Sequence, residues 1–271
     1  MVGHAAANLR RFEVVDDAPD AGPLVASLEA GKALPGMRAA EADLLAELNL
    51  DQARLALDVG CGLGSDAAAM HARMPPGGQV VGVDASRTMI AMARQRTEGV
   101  GPSLSFAAGD GRALPFPDAT FDACRAETVL QHVAEPQQVV REMARVTRPG
   151  GRVAVFEFDL GLTVLDHPDR RLTEVILGGV AEGALDGWLG RQVPRFFRSA
   201  GLGNVRVSAR MIFSGYGYFR FVMRGPLARL VADDVISGRE AAGWLAALEG
   251  AEKAGHYLGG SLAFLVSGAR E

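Results

Sequence analysis

The sequence predicts an α/β fold built on a doubly wound, mainly parallel sheet. Short apolar stretches typical of strands alternate with helical stretches between residues 55 and 158. A chain that alternates in this way places helices on both faces of a parallel sheet. In such a sheet, ligands bind outside the carboxyl ends of the strands. The expected strands are 55–59, 79–83, 103–107, 121–125 and 151–158, and the expected helices are 65–73, 86–97 and 136–147.

A glycine-rich turn joins the first expected strand to the first expected helix. Residues 55–59 (Leu-Ala-Leu-Asp-Val) are followed by Gly60, Gly62 and Gly64, and a helix begins near Ala67. Glycine permits backbone dihedral angles that a side chain excludes, and it lets a ligand approach the backbone closely. A strand, a glycine turn and a helix start in this order therefore predict a nucleotide-binding site.

Acidic residues stand at the ends of four expected strands. They are Asp58, Asp84, Asp110 and Glu127. Asp84 follows Gly64 by twenty residues, a separation at which a carboxylate commonly accepts hydrogen bonds from a ribose. Nicotinamide-dependent enzymes share this feature, so it does not distinguish between nucleotides. A strand-end aspartate also often caps the next helix, and Asp58 is expected to hold the glycine turn through its backbone.

Three further motifs follow in order along the chain. They are residues 104–122 (Leu-Ser-Phe-Ala-Ala-Gly-Asp-Gly-Arg-Ala-Leu-Pro-Phe-Pro-Asp-Ala-Thr-Phe-Asp), 126–133 (Ala-Glu-Thr-Val-Leu-Gln-His-Val) and 145–151 (Arg-Val-Thr-Arg-Pro-Gly-Gly). With the glycine turn and the strand ending at Asp84, they resemble class I S-adenosylmethionine (SAM) dependent methyltransferases of the ubiquinone/menaquinone-biosynthesis-like superfamily (methyltransferase type 11). The resemblance covers about residues 55–158. It implies a Rossmann-like seven-stranded sheet, SAM as cofactor and S-adenosylhomocysteine (SAH) as its product.

The resemblance also implies which residues bind the cofactor. These are Gly60, Cys61, Gly62, Gly64, Asp84, Ala85, Ser86, Met89, Asp110, Gly111, Arg112, Glu127 and Arg38. The glycine turn is expected beneath the methionine part of SAM, Asp84 on the ribose and Asp110 on the adenine amino group. Met89 is expected on the adenine or in the core. Glu127 either contacts the methionine part or makes a structural hydrogen bond.

Two histidines are candidate general bases. His132 is the one histidine within the motifs, and it follows the fourth strand, where the acceptor would approach the methyl group. An imidazole titrates near neutrality, as a general base requires. His167, in an Asp-His-Pro-Asp run beyond the fifth strand, is a second candidate. The alternatives are a structural or substrate-positioning role for His132 and a turn before a helix for His167.

The remaining sequence predicts a cover and a lid around this core. Residues 1–50 are expected to form an N-terminal helical cover, residues 51–212 and 259–271 the core, and residues 213–258 a helical lid insertion. Segments 204–212 and 261–267 are expected to pair as the reversed β-hairpin that ends the sheet. The lid contains aromatic residues that are expected either to line the acceptor pocket or to pack the lid on the sheet. Those chosen for the pocket are Tyr216, Tyr218 and Phe219.

Composition excludes several other classes of function. The net charge of −4, with 22% charged residues, disfavours a nucleic-acid-binding protein, which usually carries a basic face. No apolar run approaches the roughly 20 residues that span a bilayer. Cys61 and Cys124 form no disulfide pattern, and no metal-ligand spacing is present. A cytoplasmic protein without nucleic-acid, membrane or metal partners is therefore expected, whereas the oligomeric state stays open.

These observations predict a SAM-dependent methyltransferase that acts on a small molecule, with an apolar or aromatic metabolite as the expected acceptor. The acceptor nucleophile is oxygen, nitrogen or carbon. The alternative is a SAM-binding cyclase or isomerase of the same fold, which would keep the same cofactor motifs. A nicotinamide-dependent oxidoreductase is disfavoured because Ser65 stands where a dinucleotide fingerprint has its third glycine.

Overall fold

The computed structural model of the chain describes Asp16 and residues 21–271. Its centre is a sheet of seven strands in the order β3-β2-β1-β4-β5-β7-β6. The strands are β1 (Leu55–Val59), β2 (Gln79–Asp84), β3 (Leu104–Ala108), β4 (Phe121–Glu127), β5 (Thr147–Leu165), β6 (Leu202–Phe213) and β7 (Gly259–Arg270). The helices are α1 (Gly22–Lys32), α2 (Pro35–Ala46), α3 (Ser65–His71), α4 (Arg87–Arg96), α5 (Pro136–Val146), α6 (Arg170–Gly183), α7 (Val193–Ser199), α8 (Tyr216–Ala232) and α9 (Gly238–Lys253). The predicted α/β fold is confirmed.

The first five strands are parallel, and their order reverses beside β1. β2 and β3 lie on one side of β1, whereas β4 and β5 lie on the other. The connections from β1 and from β3 therefore leave the sheet in opposite directions, and a crevice opens where they diverge. In this crevice Asp58 of β1 stands beside Arg125 of β4 in the strand register.

The last two strands close the sheet with an antiparallel hairpin. β7 pairs with β5 and with β6 in antiparallel register, as the reversed finish predicts. The pairing of β6 with β7 includes the expected segments 204–212 and 261–267 and extends beyond both. It therefore anchors the chain on each side of the helical segment that separates these strands.

Helices cover both faces of the sheet with apolar side chains. α2, α3 and α4 pack on one face, where Leu44, Met70 and Ile90 are buried. α5 and α7 pack on the other face, where Met143 and Phe197 are buried. The hydrophobic effect therefore fixes the helices against the sheet and leaves its carboxyl edge as the place for a pocket.

α6, α8 and α9 form a separate helical layer around Trp244. This side chain is 1% exposed, and its indole N–H donates to Thr173 Oγ1 at 2.9 Å. Ile176 of α6 is buried in the same cluster. The layer therefore includes residues 170–183, which the sequence analysis groups with the core, as well as the predicted lid.

Among the described helices, none combines the length and the apolar character that crossing a lipid bilayer requires.

Candidate active site

A pocket of about 930 Å³ opens at the carboxyl ends of β1, β2 and β4. The glycine turn forms its floor, the strand-end acids form its sides, and α1 and α2 border its opening. The predicted site residues on its wall are Arg38, Gly60, Cys61, Gly62, Asp84, Ala85, Met89, Asp110, Gly111, Arg112, Glu127 and His132. The fold therefore brings together residues that are as much as 94 positions apart in the sequence.

The glycine turn needs glycine for two different reasons. Gly60, Gly62 and Gly64 all have positive φ angles, of 70°, 47° and 80°, which disfavour residues with side chains. A Cβ atom on Gly60 would lie 2.3 Å from a methyl group of Val129. Gly64 lies behind the pocket wall, where a Cβ would meet the ring of Phe106 at 2.8 Å. Gly62 has open space in front of it, so its backbone is accessible from the pocket.

Asp84 links the glycine turn to the start of α4. Its carboxylate accepts hydrogen bonds from the backbone N–H groups of Gly62 and Ser86, both at 2.9 Å. Burial raises the pKa of Asp84, and the two N–H donors oppose this effect. Asp84 therefore fixes the turn that the sequence analysis expects Asp58 to hold. The carboxylate of Asp58 faces Arg125 instead.

Ser86 caps α4 and does not line the pocket. Its hydroxyl oxygen accepts a hydrogen bond from the Met89 backbone N–H at 3.1 Å, and its O–H donates one to the Asp16 carboxylate at 2.6 Å. Asp16 also accepts from the backbone N–H groups of Arg87 and Thr88. The Asp16 carboxylate therefore accepts hydrogen bonds from backbone N–H groups in the first turn of α4, which have no partner within the helix. Met89 is buried but still reaches the pocket wall.

Asp110 and Arg112 form an ion pair just beyond the carboxyl end of β3. The Arg112 side chain donates to Asp110 through Nε at 3.0 Å and through a terminal nitrogen at 2.8 Å. These hydrogen bonds lower the pKa of Asp110. Gly111, between them, has its Cα side against Val59, where a Cβ would lie 3.2 Å from a methyl group. The backbone here therefore packs closely on β1.

A buried charged cluster lies at the end of β4. Arg125 is completely buried and donates to Glu127 at 2.6 Å and to Asp66 at 3.1 Å. Its Nε lies 3.6 Å from Asp58, whose other oxygen has no hydrogen-bond partner among the described residues. Burial raises the pKa of Asp58 to about 7, and Arg125 opposes this effect. The sequence analysis does not identify Asp66 or Arg125 as site residues.

Lys32 reaches this cluster from α1. Its ammonium group pairs with Asp66 at 2.7 Å and also with Glu127. Burial acts to lower the pKa of Lys32, but the carboxylates of Asp66 and Glu127 outweigh it, so the pKa is raised. Arg38, on α2, is exposed at the same end of the pocket. The methionine side predicted for Glu127 is therefore rich in charge of both signs.

His132 lies on the pocket wall in a short 3-10 turn, Leu130–His132. The Gln131 backbone N–H donates to the buried Glu157 at 3.3 Å, which ties this turn to β5. Thr128, just before the turn, has a φ angle of 52°, which is unusual for a β-branched residue. Such an outlier costs about 1–3 kcal/mol and occurs preferentially at functional sites.

The structure places four other predicted site residues away from this pocket. Tyr216 and Phe219 are buried in the helical layer, where the Tyr216 hydroxyl donates to the Leu245 carbonyl at 3.2 Å. Tyr218 faces Gly31 of α1. His167 is 8% exposed beside Trp244, and its Nδ1 accepts from the Asp169 backbone N–H at 3.0 Å. The positions of the three aromatic residues correspond to the alternative in which they pack the lid, and that of His167 corresponds to the alternative of a turn before a helix.

Within the described residues, no group of three or more His, Cys, Asp and Glu side chains is arranged to hold a metal ion.

Known proteins resemble this chain in its central part. Residues 57–155 match a family described as "Methyltransferase domain". Over 102 residues the chain is 40% identical to a demethylmenaquinone methyltransferase of Thermus thermophilus. The aligned residues are 38% of this chain and 46% of that protein. The chain spans between 40% and 50% of the length of the curated relatives that it matches.

Solved structures extend the likeness of fold to most of the chain. The YcgJ protein of Bacillus subtilis has a TM-score of 0.61 at 17% identity, over 86% of this chain and 99% of that one. The cyclase SpnF has a TM-score of 0.55 at 24% identity, over 95% of this chain and 93% of that one. At these identities the likeness concerns the fold alone. The motifs, the pocket at the strand ends and the match over residues 57–155 agree, and this part of the chain is similar to the class I SAM-dependent methyltransferases of the ubiquinone/menaquinone-biosynthesis-like type.

Proposed function

We propose that the chain transfers the methyl group of SAM to a small-molecule acceptor bound beside the glycine turn. The observation that carries this proposal is the pocket in which the glycine turn faces the carboxylate of Asp84. The family match over residues 57–155 supports the same reaction.

The charge distribution of the pocket fits SAM. Asp84 offers a carboxylate for the two ribose hydroxyls, since charge-assisted hydrogen bonds are stronger than neutral ones. Asp110 and the Gly111 and Arg112 amides lie where the adenine would follow the ribose. At the other end, the acids around Glu127 suit the positive sulfonium and α-ammonium groups.

The residues of this chain mainly position the reactants. Bound SAM supplies an activated methyl group on a sulfonium, so alignment and exclusion of water contribute most of the rate. The glycine turn fixes the donor, and α1 shields one side of the pocket. In this proposal His132, which lies on the pocket wall, accepts a proton from the attacking atom of the acceptor. In this proposal Arg38, at the exposed end of the pocket, binds the carboxylate of the cofactor.

The acceptor is an apolar or aromatic metabolite in this proposal. The wall on the His132 side is formed by Val129 and Val133, and Leu28 of α1 lies on the same pocket. Apolar walls with few polar groups are typical of small-molecule sites. The acceptors of quinone methyltransferases among the relatives are consistent with this class.

A second candidate is a SAM-binding cyclase. It is favoured by one observation, the fold shared with the cyclase SpnF over 95% of this chain. Such an enzyme would retain the cofactor without consuming it. Measuring whether SAH accumulates in proportion to product distinguishes the two candidates, since only methyl transfer produces SAH.

The experiment that tests the proposal is a calorimetric titration of the purified protein with SAM, SAH and NADPH. Binding of SAM and SAH in the micromolar range, about −8 kcal/mol, without binding of NADPH supports a methyltransferase site. Binding of NADPH alone would overturn it, as would the absence of binding in protein free of co-purified nucleoside.

Replacing Asp84 by asparagine is expected to weaken SAH binding about 100-fold, because the variant loses the charge-assisted hydrogen bonds to the ribose. The same calorimetric titration measures this effect, and circular dichroism checks the fold. Asp233→Asn, an exposed carboxylate beyond α8, is the matched control and should bind like the wild type. Unchanged affinity in Asp84→Asn would place the ribose elsewhere.

A further inference from the structure

α1 crosses the pocket as a strap with different attachments along its length. Near its start, Val25 packs in a small apolar cluster with Leu63 of the glycine turn and Met89 of α4. In its second half, Glu29 pairs with Arg96 of α4 at 2.8 Å. Its last residue, Lys32, pairs with Asp66 and Glu127. The strap therefore touches both the α4 side of the pocket and the charged cluster below β4.

The strength of these attachments differs. The Glu29 and Arg96 side chains are 54% and 41% exposed, and exposed ion pairs contribute little. The Lys32 pair is more protected, because the side chains of Glu127 and Asp66 are 2% and 13% exposed. Ion pairs in such surroundings are weakly screened by water and salt. The attachment at Lys32 is therefore the one that fixes the end of the strap.

The partners of Lys32 also need its charge. Glu127 and Asp66 each already accept a hydrogen bond from the single guanidinium of Arg125. Asp58 shares the same guanidinium at 3.6 Å. Three carboxylates around one buried cation leave negative charge uncompensated, and Lys32 supplies the second cation. The strap and the acidic side of the pocket are thus joined by an ionic contact at the site proposed for the methionine part of SAM.

We propose that Lys32 is a positioning residue that latches α1 over the bound cofactor by pairing with Glu127 and Asp66. This inference rests on the proposed function for the identity of the cofactor, but the latch itself is a contact within the chain. The latch keeps Glu127 in place and slows departure of the cofactor from beneath the strap. Loss of the Lys32 charge is therefore expected to speed cofactor release, in addition to its effect on stability.

The chain provides a chemical probe of the latch, because Lys32 and Lys253 are its only lysines. Lys253 lies on the exposed face of α9 with a side chain 74% exposed, whereas that of Lys32 is 31% exposed. Pulse labelling with an amine-reactive ester, followed by peptide mass spectrometry, measures both rates in one sample. Lys253 also pairs with a carboxylate, that of Glu249, but both side chains are exposed and such a pair opens readily. Lys32 is expected to react about tenfold more slowly, because its ammonium is less exposed and pairs with two buried or nearly buried carboxylates. Saturating SAH should slow Lys32 further and leave Lys253 unchanged.

Two variants test the partners of Lys32 without any cofactor. Glu127→Gln and Asp66→Asn each remove one carboxylate charge from the latch and should raise the labelling rate of Lys32 about threefold or more. The rate of Lys253 is the internal reference in each variant. Asp66→Asn serves if Glu127→Gln fails to fold, since Asp66 is the more exposed partner.

Release of SAH measures the effect of the latch on the cofactor. Lys32→Met should raise the dissociation rate of SAH about tenfold by stopped-flow displacement, while the association rate changes less. Lys32→Arg should restore most of the slow release, because arginine keeps the charge. Lys253→Met is the control and should match the wild type. A purely structural lysine would lower thermal stability without this selective change in release.

The outcomes separate the latch from the proposed function. Labelling of Lys32 as fast as Lys253 in the wild type would overturn the latch, whatever the protein binds. Faster labelling of Lys32 in the presence of SAH would also overturn it, because the cofactor would then displace the lysine. Failure of the wild type to bind SAM or SAH would overturn the proposed function, and the labelling of the two acid variants would still decide whether the strap is latched.

Discussion

Arg125→Met is expected to lower the free energy of unfolding by about 3–5 kcal/mol, the range seen when one partner of a buried ion pair is removed. Arg125 is completely buried in β4, and its guanidinium is shared by Asp58, Asp66 and Glu127. Methionine has a similar length but no charge, so the change leaves these carboxylates facing Lys32 alone. Urea denaturation, followed by circular dichroism at neutral pH, measures the effect.

Two further variants make this prediction specific to the charged cluster. Arg206→Met removes an arginine whose side chain is 73% exposed, and it should change stability by less than about 0.5 kcal/mol. The double variant Asp58→Asn/Arg125→Met should be less destabilised than Arg125→Met, because one uncompensated carboxylate is gone. An Arg125→Met protein as stable as the wild type would show that the buried acids do not depend on this cation.

Glu157→Gln is expected to change how stability depends on pH. Glu157 is completely buried in β5, and burial raises its pKa from an ordinary value of 4.5 to about 8. The folded chain therefore holds a proton at neutral pH that the unfolded chain releases. Between these two pKa values stability falls as pH rises, because the folded state binds more protons. At about 1.4 kcal/mol for each unit of difference, the fall reaches about 4–5 kcal/mol by pH 8.

The side chain in Glu157→Gln is neutral and has nearly the same shape as that of glutamate. The part of the fall in stability with rising pH that Glu157 causes should therefore disappear in this variant. Urea denaturation at pH 5 to 8.5 is the measurement, and Glu157→Gln should gain stability over the wild type toward the alkaline end. Glu98→Gln, at an exposed position, is the control and should follow the wild-type curve. Asp58 also has a raised pKa and contributes a fall of the same sign, so the wild-type curve alone does not test Glu157. Parallel curves for the wild type and Glu157→Gln would show that Glu157 is ionised in the folded chain.

The strap and its latch illustrate why part of the site is invisible in the sequence. Lys32 and Glu127 are 95 residues apart, and no spacing rule links a lysine at the end of one helix to a strand-end acid so far away. For Arg125 the sequence offers one weak indication of a special role, because it is a charged residue within the apolar stretch 123–126. Only the parallel register of β1 and β4, which sets Arg125 beside Asp58, gives that charge a partner.

For the aromatic residues of the lid, the sequence predicts the helix but not which of its side chains reach the pocket. The sequence predicts a helical insertion over residues 213–258, and α8 and α9 lie within that segment. Which face of α8 meets a ligand depends on what packs against it. α6 and α9 bury Tyr216 and Phe219, and α1 meets Tyr218, so these side chains are used in packing away from the pocket wall.

The sequence by itself determined the parallel core, the glycine turn and the strand-end acids, because local alternation and turn chemistry are properties of neighbouring residues. Asp84, Asp110 and Glu127 could be placed at one edge of the sheet for the same reason, since every parallel strand ends there. Tertiary structure decided which acids face one another, which cation compensates them and which helix covers the pocket. Those choices depend on charges and surfaces that meet only after distant segments pack, and burial then sets the energy of each contact.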